Sequence, residues 1–307
     1  APDRASGPAS PLATNNRPGL PAGNEPAAPF DLSIVIPAYQ EEHRIPVFLD
    51  ALVAYVADSD RSIEVLVVDD GSKDNLATVI ERYATAFPTL RCITLPENRG
   101  KGFAVRTGML AATGRRRAFI DADGSIHPSQ IDRLLAVEAN VVISSVAAPG
   151  AELDPPQGPL RAAAGSLGNR LIRTLVLPGV LDSQRGCKVF RDVVADVVFA
   201  ECEVDRWAFD VEALALARKF GHEPVEVGIR WSHRDGGTIR PTTYLETLRI
   251  VFTISRRLGR QPEVRQPSAI RTGGSPKPTP SVAASAQRPT AKMRAGSTTG
   301  PTSSRSP

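Results

Sequence analysis

IEVLVVDD, residues 63–70, is a nearly unbroken apolar run that stops on two adjacent acids. A run this short, with Gly71 directly after it, reads as a β-strand buried on both faces. The flanking sequence repeats the pattern. Upstream, LSIVIPAY (32–39) is another β-rich run, and Ile45, Phe48, Leu49, Leu52, Val53 and Val56 follow it at helical spacing. Downstream, Asp74 offers an N-cap for a helix through Phe87, LRCITLP (90–96) reads as strand and GFAVRTGMLAAT (102–113) as helix. RRAFIDAD (116–123) is a fourth strand, and SQIDRLLAVE (129–138) with VVISS (141–145) completes another helix–strand pair. Strand–helix alternation on short connections predicts an α/β domain, a mostly parallel sheet with helices on both faces.

The 307 residues are unevenly composed. Residues 1–29 are rich in Pro, Ala, Asn and Gly, and residues 262–307 in Pro, Ser, Thr, Gly and Ala. Neither stretch has the large apolar side chains that would offset its ordering entropy, so both are expected as disordered tails around one folded domain over 30–261. The C-terminal stretch holds seven Lys/Arg against one Glu and residues 1–29 are neutral, so the chain's net charge of +4 leaves the folded region at −2. The basic balance belongs to a tail that reads as a solvated linker, with attraction to anionic lipid as the alternative. A net acidic domain without an interleaved basic and aromatic face is not expected to bind nucleic acid. Cys92, Cys187 and Cys202 lack metal-ligand spacing and read as small buried hydrophobes in a reducing compartment. No charged-then-apolar leader opens the sequence and no run of about 18 apolar residues occurs, so no membrane span is expected.

In sheets of this kind ligands sit beyond the C-terminal strand ends. Acids gather there: Glu41 after PAY, then Asp69 and Asp70, then Asp121 and Asp123 in FIDADGS (119–125). Two residues apart on a strand, Asp121 and Asp123 would face the same side. Carboxylates that close repel unless a cation or N–H donors lie between them. Mg²⁺ carrying a diphosphate suits such a pair, because that ion takes few carboxylates and completes its shell with phosphate oxygens. An exposed Asp-rich turn is the alternative for the motif taken alone. A calcium-binding loop is excluded, since Ile126 stands where its invariant Gly belongs and Pro128 interrupts it. NRGKG (98–102) lacks the P-loop pattern and alone reads as a turn before a helix.

Six segments in order, SIVIPAYQEE, VLVVDDGSKD, NRGKGFAVRTGM, FIDADGS, DSQRGCKVF and RWAFDVE, resemble the inverting GT-A glycosyltransferases of family 2. They look most like the polyprenyl-phosphate branch, the dolichyl-phosphate β-glucosyltransferase-like enzymes, from about Leu32 to Arg257. The resemblance implies a GT-A fold and metal-dependent transfer of a sugar from a nucleotide sugar to polyprenyl phosphate with inversion. UDP is favoured as the nucleotide through the branch, and Mg²⁺ or Mn²⁺ as the ion. By position, Pro37, Ala38, Tyr39 and Glu41 match the loop that holds the base, and Asp69 or Asp70 the acid that contacts base or ribose. Lys101 lies in the family's glycine-flanked loop near the nucleotide. Asp121 matches the nucleotide-facing acid of the DxD pair and Asp123 the metal ligand, where the ion neutralises the departing diphosphate.

Asp210 in RWAFDVE matches the acceptor side, with helix N-capping as the alternative. A phosphate acceptor needs no general base, so Asp210 is expected mainly to orient groups. Arg161, Arg170 and Arg173 are matched, loosely, to acceptor-phosphate arginines; ordinary solvated arginines on an amphipathic helix are the alternative. Residues 161–177 and 243–260 combine an apolar face with Arg, as interfacial helices do, although a core-packing helix explains the second equally. Relatives in this branch often carry membrane spans. Their lack here implies a cytoplasmic chain held peripherally at the inner face of the cell membrane, or a small membrane-protein partner. In HRDGGTIRP (233–241) relatives usually have Gly-Ser-Lys where this chain has Gly236-Gly237-Thr238, with Arg234 or Arg240 as substitutes for the lysine. The competing readings are transfer to a soluble hydroxyl acceptor and a non-catalytic nucleotide-sugar binder serving a membrane glycosyltransferase.

Overall fold

The computed structural model describes residues 29–154, 168–233 and 241–263; both expected tails, but for Pro29 and 262–263, lie outside the described residues. The first half alternates as its sequence predicts: β1 (Phe30–Ala38), α1 (Ile45–Ala57), β2 (Ile63–Asp69), α2 (Leu76–Ala86), β3 (Leu90–Thr94), α3 (Lys101–Ala111) and β4 (Gly114–Ile120). Then come α4 (Ile131–Leu135), β5 (Val141–Ser145), β6 (Glu152–Asp154), a helix α5 over 168–175, and β7 (Cys187–Arg191). The last elements are α6 (Asp192–Glu201), α7 (Phe209–Lys219), β8 (Pro224–Gly228), β9 (Arg230–Ser232) and α8 (Pro241–Leu258).

Seven strands form one sheet in the order β3-β2-β1-β4-β7-β5-β8, and β6 pairs with β9 separately. Only β7 runs antiparallel to its neighbours in the large sheet, against both β4 and β5. The chain builds outward from β1 to β3, then returns to place β4 on the other side of β1. Strand order therefore switches between β1 and β4, the position where open α/β sheets hold ligands.

Strand periodicity fills two cores. On β1 and β2, Val35, Leu66 and Val68 face one layer with α3, α6 and α7, while Ile34, Ile36, Val65 and Val67 face the other with α1 and α2. The apolar run of β2 is buried at every position because both of its faces are covered. Helix α3 rides directly on the sheet: a Cβ at Gly108 would lie 2.3 Å from Val35 Cγ1 and 2.9 Å from Val68 Cγ2. At the opposite end of the strands from the acids, Glu64 is buried and accepts from Ser33 Oγ at 2.6 Å and Thr113 N–H at 2.9 Å.

Three local expectations are corrected. Strand β4 ends at Ile120, so Asp121 and Asp123 lie in the following turn and not on the strand itself. The helix expected over 129–138 is a 3₁₀ turn at Pro128–Gln130 and the short α4, because the chain must turn back in time for β5. Asp74 precedes the N-cap, which is Asn75; its carboxylate accepts from Glu42 N–H at 3.1 Å and Leu76 N–H at 3.3 Å, joining two loops. Cys187 and Cys202 are buried as expected, Cys92 only partly. No described helix is long and apolar enough to cross a membrane. Helix α8 buries Val251 and Ile254 and leaves Leu248 and Phe252 exposed, so it packs on the core and presents an apolar outer face as well.

Gly108→Ala should overpack α3 against β1 and β2 and cost about 1–3 kcal/mol. The check is a lower urea midpoint with an unchanged m-value.

Candidate active site

A cavity of about 510 Å³ opens at the ends of β1, β2 and β4. Residue by residue, its walls follow from backbone turns. After β1 the chain bends through Gln40, a non-glycine residue at φ 54, whose N–H donates to Ser72 Oγ at 2.9 Å. That bend leaves Pro37, Ala38, Tyr39 and Glu41 on the cavity wall. Burial pushes the Glu41 carboxyl up, against Arg44, whose Nε donates to it at 2.6 Å. After β2, Gly71 takes φ 68, and a Cβ there would meet the Glu97 backbone at 2.5 Å, so the turn demands glycine.

The two acids of that turn have separate tasks. Asp69 is buried and accepts from Ser72 N–H at 2.9 Å, away from the cavity lining. Asp70 lines the cavity and shapes the next loop: it accepts from Arg99 N–H at 2.9 Å, Gly100 N–H at 2.8 Å and Asn98 Nδ2 at 3.0 Å. Burial pushes its carboxyl up, while those N–H donors favour the charged form. The loop delivers Lys101 to the cavity at the start of α3.

Lys101 Nζ lies 2.6 Å from Asp121 Oδ1. Burial opposes the ammonium charge, but Asp121, Asp210 and Asp123 together hold its pKa above the usual lysine value. Burial pushes Asp121 upward, with Lys101 pulling against it. The main chain fixes Asp121 as well, through its N–H to Gly186 O at 3.0 Å, and a Cβ on Gly186 would come within 2.2 Å of Asp121 Oδ2. Asp123, also on the lining, accepts from Ser125 N–H at 2.9 Å.

Behind this front row stands a buried pair. Asp210, the second residue of α7, accepts from Lys188 Nζ at 2.8 Å; Lys188 has no solvent exposure. The same Nζ donates to Arg185 O at 2.6 Å and lies 5.2 Å from the centre of the Phe119 ring. Asp210 therefore does not cap its helix and does not line the cavity. Its charge reaches the cavity through Lys101 and Asp121. Lys188 and the lining residues Arg206 and Trp207 were not among the residues singled out from sequence. A lysine flanked by Cys187, Val189 and Phe190 in a strand pattern was the available signal for the first.

The arginines expected at the acceptor are not gathered here. Arg170 is exposed and Arg173 half-buried on α5, and neither lines the cavity. Arg161, Arg234 and Arg240 lie outside the described residues. His233 is exposed, off the cavity lining, with its N–H on Asp154 O at 3.0 Å.

No group of three His, Cys, Asp or Glu among the described residues could enclose a metal ion. Asp121 and Asp123 instead offer two carboxylates at an open cavity, a donor set that fits a hard divalent ion completing its shell with phosphate oxygens and water.

A mostly parallel sheet with carboxylates, a lysine and a cavity at its switch point is the architecture of a GT-A glycosyltransferase. Residues 33–199 match the model of glycosyl transferase family 2, and the chain belongs to that family. It is 31% identical over 239 residues to a dolichyl-phosphate β-glucosyltransferase of Dictyostelium discoideum, covering 73% of each chain. It is 34% identical over 247 residues to the Drosophila melanogaster protein of that name, covering 75% of this chain and 76% of the other. Among solved structures, the fold is shared with glucosyl-3-phosphoglycerate synthase from Mycobacterium tuberculosis in complex with UDP, at TM-score 0.55 and 21% identity over 76% of this chain and 82% of that one. It is shared too with a mannosyltransferase from Pyrobaculum calidifontis in complex with GDP-Man and Mn²⁺, at TM-score 0.54 and 19% identity over 78% and 68% of the two chains.

Lys188→Met strands the Asp210 carboxylate beside the core and should cost about 3–5 kcal/mol in urea unfolding. Adding Asp210→Asn should recover much of that loss; fully additive losses would mean that the two side chains are not coupled.

Proposed function

We propose that this glycosyltransferase moves glucose from UDP-glucose to a polyprenyl phosphate, with inversion and release of UDP. The relatives named dolichyl-phosphate β-glucosyltransferase support both the sugar and the acceptor, and the UDP complex of a fold neighbour supports the nucleotide. The observation that carries the reading is the Lys188–Asp210 pair. A hydroxyl acceptor needs a base to take its proton. A carboxylate set behind the cavity wall, with one oxygen on a buried ammonium, is poorly placed for that work. A phosphate monoester, with its second pKa near about 6, is already largely a dianion at neutral pH and attacks without such help.

In this mechanism an acceptor phosphate oxygen forms the new bond to the anomeric carbon, on the face opposite the diphosphate. The bond from that carbon to the diphosphate oxygen breaks, and its electron pair leaves with UDP. Tyr39 and Glu41 line the part of the cavity read as the base end, and Lys101 stands at the diphosphate. Asp123, with Asp121, would hold a divalent ion, Mg²⁺ or Mn²⁺, that neutralises charge on the leaving group; the Mn²⁺ complex of a fold neighbour supports it. Asp210, held by Lys188, adds negative charge that favours the Lys101 ammonium. The lipid acceptor calls for peripheral contact with a membrane, for which the outer face of α8, with Leu248, Phe252, Arg249 and Arg256, has the composition of an interfacial helix.

The test uses purified full-length chain with Mn²⁺ or Mg²⁺, a short polyprenyl phosphate, and labelled UDP-Glc, UDP-GlcNAc, UDP-GalNAc or GDP-Man. Label from UDP-Glc should enter the organic phase, stop with EDTA and return with added ion. Asp123→Ala should lower kcat by at least about 10²–10³-fold, the size of effect seen when one preorganised charge-stabilising contact is lost. An active, metal-indifferent Asp123→Ala protein would overturn the mechanism.

The pH profile separates the acceptors. With polyprenyl phosphate, the rate should rise with pH through a limb near about 6, set by the acceptor's own second ionisation. That limb should survive Asp210→Asn. A steep acid limb that Asp210→Asn removes would instead identify a hydroxyl acceptor and a general base.

A further inference from the structure

Among the described residues three cations line the cavity, and two are committed. Arg44 is held by Glu41, and Lys101 by Asp121 at 2.6 Å. Arg206 is exposed and makes no ion pair among the described residues. Asp70 senses its charge, but that carboxylate is already filled by three N–H donors.

Arg206 is also held in place. The adjacent Asp205 binds Arg99 Nη2 and Arg106 Nη2, each at 3.0 Å, and its carbonyl accepts the Phe103 N–H at 2.9 Å. The 204–206 segment lies so close to the start of α3 that glycine is required beneath it. A Cβ at Gly100 would fall 2.7 Å from Arg206 Cγ, and one at Gly102 would fall 2.3 Å from Val204 O. Beside Arg206, Trp207 leaves 42% of its surface exposed at the cavity, with its ring 5.8 Å from Lys101 Nζ. Arg206 further borders a second cavity of about 560 Å³, a mostly charged space where Ile250 and Ile254 of α8 face Glu97, Glu203 and Glu246, the last of which lines both cavities.

We propose that Arg206 binds the phosphate of the acceptor. This rests on the phosphate-acceptor reading above and supplies the cation that Arg170 and Arg173, off the cavity, do not. The attacking phosphate oxygen must come within about 3–3.5 Å of the anomeric carbon, so the cation that holds it belongs on the cavity wall. A guanidinium free of carboxylates can take two phosphate oxygens at once. Arg206 stands at the junction of the two cavities beside an exposed indole, which offers apolar surface next to the phosphate.

Wild type, Arg206→Gln and Arg206→Lys are compared with UDP-Glc, Mn²⁺ and short polyprenyl phosphate, alongside calorimetric titration of UDP-Glc. Arg206→Gln should raise the acceptor KM about 10–100-fold, the worth of charge-assisted hydrogen bonds, and leave the donor Kd within about twofold. Arg206→Lys should fall between. An unchanged acceptor KM, or a parallel loss of donor affinity, would overturn the assignment.

If wild type transfers nothing to polyprenyl phosphate, the acceptor reading fails first. Titrating polyprenyl monophosphate and inorganic phosphate into the UDP–Mn²⁺ complex then decides the site by itself. Binding that Arg206→Gln abolishes upholds a phosphate site, with tighter lipid binding pointing to a membrane acceptor and equal binding to a soluble phosphate. Binding indifferent to Arg206 removes it.

Discussion

Crowding of negative charge governs this site. Strands β1, β2 and β4 end side by side, and with the start of α7 they bring Asp70, Asp121, Asp123 and Asp210 into one neighbourhood. Left unpaired, such carboxylates would repel and take up protons. The fold answers each differently. Asp70 is satisfied by main-chain and amide N–H groups, Asp121 by Lys101, and Asp210 by Lys188. Asp123 has only the Ser125 N–H among the described residues. It keeps the most coordinating capacity, which is what the proposed role as metal ligand requires.

Glycines make the second constraint, because they let distant segments approach the acids. Gly186 admits the β7 approach to Asp121, and Gly100 and Gly102 admit the 204–206 segment to the start of α3. Through these contacts a loop near residue 100 and a segment near residue 205 become one rigid wall, clamped by Asp205 on Arg99 and Arg106. Lys101 and Arg206, both on the cavity lining, are therefore placed by a shared scaffold, so the distance between these two cations is set by packing.

The first half of the fold was legible because β1, β2 and β4 are short apolar runs, the last two closing on acids, and the intervening helices keep their apolar spacing. The FIDADGS acids stood out for the same reason. Their strand geometry did not, since β4 stops at Ile120 where the Asp121 N–H turns to Gly186, a partner 65 positions away. Strand β7 was harder still: it enters the sheet between β4 and β5 from far along the chain, and only that placement buries Lys188 against Phe119. The position of Arg170 and Arg173 off the cavity was not legible, because basic residues in an apolar stretch say only that a helix is amphipathic. Which way its polar side points is decided by the burial of Ile172 and Val176 in the core.

The buried lysine has a chemical consequence. A general base must reach the proton it takes, and one oxygen of Asp210 is already occupied by the Lys188 ammonium at 2.8 Å. That oxygen is committed to the buried lysine, and the residue stands off the cavity lining. Under the proposed reaction between two phosphate-bearing substrates, an acid so placed serves better to position a cation than to take a proton. Asp210 acts on Lys101 through its charge from behind the cavity lining, and Asp205 fixes the backbone beside Arg206 through Arg99 and Arg106.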